Sequence, residues 1–550
     1  MSPLSKAAWT QWRAALLHPW TLFILITLVV FLPAGFNIGP VNDGWLKLGS
    51  FLSGSPLYRA DISRAFGGFP RDFGMQLGGG SFVGWQAFLF LFTALRGILF
   101  YEIVRRLFPT QRAFAVACGL VALFHPADSV YFWVDVTGVH MGLVFALAAC
   151  LCALMHLQSG SRAAVLGALL FQLLTCLTYS GFLIFIIAFP IGVWLLAWAD
   201  GPRPGCRYLL RMLWLPIAYV AVQVLLVLIH KGHEGQVADL DAHAAIVGLG
   251  REFVLFLQRS VSWLYDMRPI YLLWALPPVA LAWALTRRLP PAAAAHGLAF
   301  YRVLCLGLLG LALACYFPYA VSEVRVGGMR QMFAAGIFLY MLVLLPLFLL
   351  LPGRFPARAD LLRCLLVAVV AASVTFIGLQ ERANWVDEYR DEESLLSAIA
   401  TLAPQPAPDT RFVIRLHDDE QAQSLGGFYN RRAALIYALH LMYDDRSLKA
   451  MFTTLEAPYF SFDQDQLQVT QKINVNRDDS SAVPYGQLLI LDYDAAGHLQ
   501  VLDRDWLQQQ APKGFKVTGY DPAAHLGATP AANSKVCVML EKEMRPAYCR

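Results

Sequence analysis

The sequence predicts a polytopic α-helical membrane protein of about eleven transmembrane helices, followed by a C-terminal soluble α/β domain. Three observations predict it. Of 550 residues, 57% are hydrophobic and only 15% are charged. The apolar residues gather in repeated runs near the roughly 20 residues a helix needs to cross a bilayer. The charge is also divided unevenly: residues 1–379 hold 26 Lys+Arg against 14 Asp+Glu, and residues 380–550 hold 17 against 24. The expected domains are therefore a membrane part, 1–379, and a soluble part, 380–550. The acidity of the second argues against a nucleic-acid surface.

The spans are read at about 20–36, 83–104, 109–127, 138–157, 163–178, 181–199, 208–230, 269–286, 298–318, 331–351 and 361–379. No small-residue cleavage site follows the first run, so it is kept as a span rather than a signal peptide. The third is the weakest, because its continuous apolar core from Ala113 to Phe124 is short.

Charge bias checks the count, since Lys and Arg collect in cytoplasmic loops. With the N-terminus inside, the inner loops carry Arg105, Arg106 and Arg112, then Arg162, then Arg203, Arg207 and Arg211. Arg287 and Arg288 follow, and finally Arg354, Arg358 and Arg363. Most of the acids fall on the other side. Dropping the third span breaks this alternation. The expected topology is N-terminus cytoplasmic and C-terminal domain outside, in a bacterial inner (plasma) membrane with that domain in the periplasm.

Two outer segments are long and amphipathic. Residues 37–82 place Trp45, Leu46, Leu48, Phe51 and Leu52 at near-helical spacing. Residues 231–268 interleave Phe253, Phe256, Leu257, Trp263 and Leu264 with Arg251, Gln258 and Arg259. Both are expected to lie as helices in the outer interface, Trp at headgroup level.

The soluble domain opens with a charged helix from Glu381 to Ala400 and a Pro-rich break at 403–408. Residues 410–416 and 487–491 are strand-like, and Ala433 to Met442 is helical, which fits a small α/β domain. It has no phosphate-cradling glycine motif and no nucleophile elbow. Cys537 and Cys549 stand alone in it. They form a disulfide if the domain faces an oxidising compartment and are otherwise free thiols.

Candidate chemistry sits at the outer helix ends. Asp43, in Asn42-Asp43-Gly44-Trp45, follows the first span where lipid gives way to water. Asp61, Asp72, Asp128, Asp135, Asp266 and Glu323 also fall at that level. Arg96 lies inside the second span, where a bare charge is costly, and is read as a structural group facing protein. Around these acids stand Ser63-Arg64-Ala65-Phe66, the run Tyr101-Glu102-Ile103-Val104-Arg105-Arg106-Leu107 and Leu123-Phe124-His125-Pro126 followed by Tyr131-Phe132-Trp133.

In order and spacing, these motifs resemble the GT-C superfamily of membrane glycosyltransferases, and within it the bacterial relatives of the tetratricopeptide-containing O-mannosyltransferases. The resemblance covers about 1–379. It implies a GT-C-like catalytic domain that takes a sugar from a polyprenyl-phosphate donor in the membrane lipid. The acceptor hydroxyl would belong to a surface glycan, a lipid-linked glycan or a protein.

Inverting transfer needs a base within reach of the acceptor hydroxyl, a role for which Asp43 is the candidate. The alternative is a capping or solvated acid. A phosphodiester leaving group needs positive charge rather than an acid. Arg325 and Arg330, in Ser322-Glu323-Val324-Arg325-Val326-Gly327-Gly328-Met329-Arg330, and Arg64 are the candidate phosphate ligands. Trp45, Asp61, His125, Asp135, His140 and Glu323 are candidate cavity-lining residues. No cofactor is expected. No metal site is expected either, because Asp43 lacks a neighbouring acid, and His233, Asp239, Asp241 and His243 match no metal-ligand spacing. The competing readings are a membrane transporter or lipid-linked-sugar flippase, and a non-catalytic scaffold.

Overall fold

A computed structural model describes residues 18–41, 44, 45, 48, 66–78, 81–128, 131, 132, 136–200, 205–229, 242–263, 268–290, 297–320, 332–417, 425, 428, 432–453, 460–474, 477–494, 496–527, 546 and 547. The chain divides into two compact units. The first is Met1–Asn37 with Tyr58–Ala383, the second Ile38–Leu57 with Asn384–Arg550.

The described part of the first unit is helical: α1 (Pro19–Phe31), α2 (Phe69–Leu77), α3 (Val83–Leu107), α4 (Arg112–Leu123), α5 (Thr137–Ser159), α6 (Arg162–Thr178) and α7 (Leu183–Asp200). There follow α8 (Arg207–Ile229), α9 (Ala242–Ser262), α10 (Tyr271–Thr286), α11 (Leu298–Ala320), α12 (Met332–Arg354) and α13 (Ala359–Leu402), whose residues from Asn384 onward belong to the second unit. Each stretch read as a span coincides with a helix. Among the described residues, five helical segments are long and apolar enough to cross a membrane: Val83–Leu107, Thr137–Ser159, Ser180–Ala199, Leu298–Pro318 and Pro356–Leu402.

The surface of this unit identifies its solvent. Leu166, Leu210, Leu298 and Leu306 are each two-thirds or more exposed. Prolines stand inside α7, α8, α10, α11 and α12, as membrane helices tolerate. The helix α9 inverts the usual pattern. Its outward side carries Ile246, Val247, Val254, Leu257 and Val261, with Arg251 and Gln258 also exposed, whereas Glu252 and Phe256 face inward. An apolar exterior over a polar interior suits hydrocarbon, not water. The first unit is membrane protein in character.

Where lipid supplies no hydrophobic drive between helices, small residues let backbones close up. The helices α3 and α4 do this at Gly97 and Gly119. A Cβ on Gly97 would lie 3.0 Å from the Gly119 carbonyl, and one on Gly119 equally close to that of Gly97.

The weakest span of the sequence reading is α4, which has only 12 residues. At 1.5 Å per residue it rises about 18 Å, short of the roughly 30 Å hydrocarbon core. It ends at Leu123 because Phe124 turns extended and Pro126 follows.

Two expectations differ from the structure. Glu381–Ala400 is not a separate helix but the end of α13, whose 44 residues run unbroken through the expected boundary at 379. Nothing in the run from Ile377 to Trp385 breaks a helix: it holds one Gly and no Pro. Trp45 and Leu48 are buried, 3% exposed each, and belong to the second unit rather than to a lipid interface.

Among its described residues the second unit holds two sheets. The first has strand order β2-β1-β6-β7, formed by β1 (Arg411–Arg415), β2 (Lys449–Thr453), β6 (Leu488–Tyr493) and β7 (Leu499–Val501). The strand β1 pairs parallel with β2 and β6, and β7 pairs antiparallel with β6. Between β1 and β2 runs α14 (Arg432–Tyr443). The second sheet is the antiparallel set β3 (Phe460–Phe462), β4 (Gln466–Asn474) and β5 (Arg477–Pro484). The short helix α15 (Arg504–Gln510) follows β7, N-capped by the Asp503 side chain. Burial on both faces of β1 and β6 explains their continuous apolar runs (Phe412, Val413, Ile414; Leu488 to Leu491). Val413, Met451, Leu488 and Ile490 pack with Leu467, Val469 and Val483 of the second sheet.

Candidate functional site

The chemistry-bearing groups described in the first unit converge where α4 ends. Arg96, on α3 beside Gly97, is 1% exposed and donates from Nη2 to the carbonyl of Leu123. That carbonyl is among the last four of α4, which have no partner within their helix. The Gly97–Gly119 contact brings the two backbones close enough for this reach. The guanidinium carbon stands 4.8 Å from the ring centres of both Tyr131 and Phe333. Asp128, fully buried, supplies a balancing negative charge. Asp128, which the sequence reading set among the acids at outer helix ends, is enclosed by protein.

The irregular chain after α4 is tied down by its own side chains. The backbone N–H of His125 donates to the Tyr131 hydroxyl over 2.5 Å. Its ring Nε2 lies 3.2 Å from the Phe333 carbonyl. His140, at the start of α5, sets its ring edge-on to Phe333 with centres 4.7 Å apart. The structure thus brings two predicted cavity residues, His125 and His140, onto one residue of α12. Gly336, one turn further along α12, makes the room: a Cβ there would run into the His125 ring.

The polar row continues outward from His125. Tyr340 packs its ring 5.5 Å from that of His125, and its hydroxyl lies 2.6 Å from Ser260 Oγ on α9. Glu252, two turns before Ser260, is 1% exposed, with Tyr316 of α11 within its electrostatic reach. On another side, Arg382 of α13 donates to the Gly35 carbonyl at 2.6 Å and to Gln86 Oε1 at 3.3 Å.

A small apolar groove, with a cavity volume of about 30 Å³, opens between α3, α7, α11 and α12. Phe100, Val104, Phe189, Leu308, Phe338 and Met341 wall it. Its lining is apolar and disfavours any charged group.

Asp43, Asp61, Arg64, Asp135, Glu323, Arg325 and Arg330 lie outside the described residues, as do Cys537 and Cys549. Trp45 is a core residue of the second unit. Its indole N–H donates to Glu392 Oε2 at 2.7 Å, and its ring centre is 6.0 Å from that of Phe428. Sequence reasoning missed Arg382, Glu252 and the Ser260–Tyr340 pair. For Glu252 a signal existed: with Phe256 and Ser260 it forms an i, i+4, i+8 stripe on a helix otherwise rich in apolar residues. Among the described residues, no group of three metal-ligating side chains comes together. No protein-family model matches the chain, and no curated protein matches it.

Proposed function

We propose that the chain is a GT-C-type membrane glycosyltransferase that moves a sugar from a polyprenyl-phosphate donor to an acceptor hydroxyl at the periplasmic membrane face. In this reading Asp43 deprotonates the acceptor, and Arg325, Arg330 and Arg64 hold the donor phosphate. Its N-terminus is cytoplasmic and its C-terminal unit periplasmic. One observation carries the reading: the polar node of Arg96, Asp128, His125 and Tyr131 at the end of the short helix α4. Irregular backbone and charge at membrane depth are tolerated where they are buried in protein or line a watery hollow. A lipid-borne phosphosugar needs such a polar setting at membrane depth.

The test is turnover in membranes with a panel of radiolabelled polyprenyl-phosphate sugars, comparing the native protein with Asp43→Asn. Loss of transfer with retained folding and donor binding supports the reading; undiminished transfer sinks it. One observation also favours a transporter or lipid flippase, since a buried Arg96 within a helix beside a buried Asp128 is what such proteins use to pass polar cargo. That alternative predicts movement of the lipid-linked sugar across vesicles with no bond broken, and tolerance of Asp43→Asn.

A further inference from the structure

In the second unit, one row of polar side chains crosses the sheet at the carboxyl ends of its parallel strands. Register places Thr453 of β2, Arg415 of β1, Asp492 of β6 and Gln500 of β7 side by side. The chain leaves β1 for β2 on one side and later returns to β6 on the other, so β1 and β6 flank the point where strand order reverses. In open α/β sheets that point, beyond the carboxyl ends, is where ligands bind.

Asp492 is the hub of this row. Its Oδ1 accepts from Arg415 Nη1 at 3.1 Å and lies 3.1 Å from His417 Nε2. Its Oδ2 accepts from Gln500 Nε2 at 3.1 Å. The acid itself is withdrawn, with a side chain 7% exposed, whereas those of Arg415 and His417 are 25% and 38% exposed and Gln500 is exposed. The indole of Trp506, 5.5 Å from the guanidinium, fixes its plane. Arg415 Nε is buried with no partner among the described residues. Desolvating a carboxylate is costly, and a sheet edge needs none for stability. Here the acid spends its lone pairs orienting donors, and Arg415 and Gln500 each carry further N–H groups beyond the one given to Asp492.

We propose that Arg415, His417 and Gln500, held in place by Asp492, form a binding site for a carboxylate-bearing ligand, such as a uronic acid residue or an acidic peptide end. A planar guanidinium matches a carboxylate in shape. The site stands whether or not the membrane unit transfers sugar.

The experiment is equilibrium dialysis of the full chain in a non-ionic, phosphate-free detergent with radiolabelled glucuronate, and separately with inorganic phosphate. The native protein is compared with Arg415→Lys, His417→Ala and, as a control on exposed Arg446, Arg446→Gln. The expected result is saturable glucuronate binding, with phosphate binding weaker. Arg415→Lys and His417→Ala should each weaken it about tenfold, the worth of a hydrogen bond to a charged group. The control should bind as the native protein does. Thermal melting of His417→Ala should be unchanged, separating a ligand contact from a structural one. Because His417 is partly exposed, that variant carries the test if Arg415→Lys misfolds. Absence of glucuronate binding, tighter binding of phosphate, or binding that survives both substitutions overturns the proposal.

Discussion

The guanidinium of Arg382 lies 4.2 Å from the centre of the Phe31 ring, joining α13 to the end of α1. The same group donates to the Gly35 carbonyl just beyond α1 and to Gln86 on α3. A charge 2% exposed thus binds three segments of the first unit together.

Arg382→Lys keeps the charge but loses the planar fork, so it should destabilise the first unit by about 1–3 kcal/mol. Arg382→Ala should cost more, about 3 kcal/mol, by leaving the Gln86 amide oxygen and Gly35 carbonyl unserved. Thermal unfolding in detergent orders the variants; a melting point unchanged in Arg382→Ala contradicts the assignment.

At Gly336, the methyl of alanine falls on the His125 ring. That ring is held by Tyr131 through the backbone and by the Phe333 carbonyl, so it cannot step aside cheaply. Gly336→Ala should destabilise by about 1–3 kcal/mol, as overpacking does. Pairing it with His125→Ala should recover part of the loss, and a double-mutant cycle on melting midpoints reads the coupling.

Trp45→Phe retains a ring against Phe428 but removes the N–H offered to buried Glu392. The second unit should lose about 1.5–3 kcal/mol. Limited proteolysis, followed by the rate of cleavage between residues 384 and 550, measures it. An unchanged rate removes Trp45 from the list of core contacts.

His525 supplies a pH test. Burial holds its imidazole below the ordinary value of 6.5, although the Gly486 carbonyl and the charge of Asp521 oppose the shift. Its Nδ1 lies 2.9 Å from the Thr410 hydroxyl. A depressed folded pKa means the unfolded chain takes up the proton first. Stability is therefore full above about pH 6.5 and falls as pH drops below it toward the folded value. His525→Phe should flatten that slope in melting measured from pH 8 to pH 5; an equal slope in both proteins refutes it.

The helices of the first unit were legible because hydrocarbon imposes a simple rule on composition: about twenty apolar residues, basic inner loops. The strands β1 and β6 were legible for a related reason, as continuous apolar runs buried on both faces. What periodicity does not carry is which distant polar groups meet. Arg96 reads as a charge in a span, but its tie to Leu123 depends on two glycines that let α3 and α4 approach. Trp45 reads as an interfacial aromatic because its neighbours are amphipathic; its burial depends on Glu392, 347 positions away. The run through 379 misled because a change of composition marks a change of solvent, not the end of a helix. Arg415, Asp492 and Gln500 are separated in the chain and joined only by strand register.

The reversed polarity of α9 makes the choice of amphiphile part of the molecule's chemistry. In plain water its greasy flank would seek any cover available, including a second copy, while Glu252 on the opposite flank resists being turned outside in. Purification in a bilayer mimic therefore preserves the pairing of Ser260 with Tyr340, and delipidation should scramble it before any span unwinds.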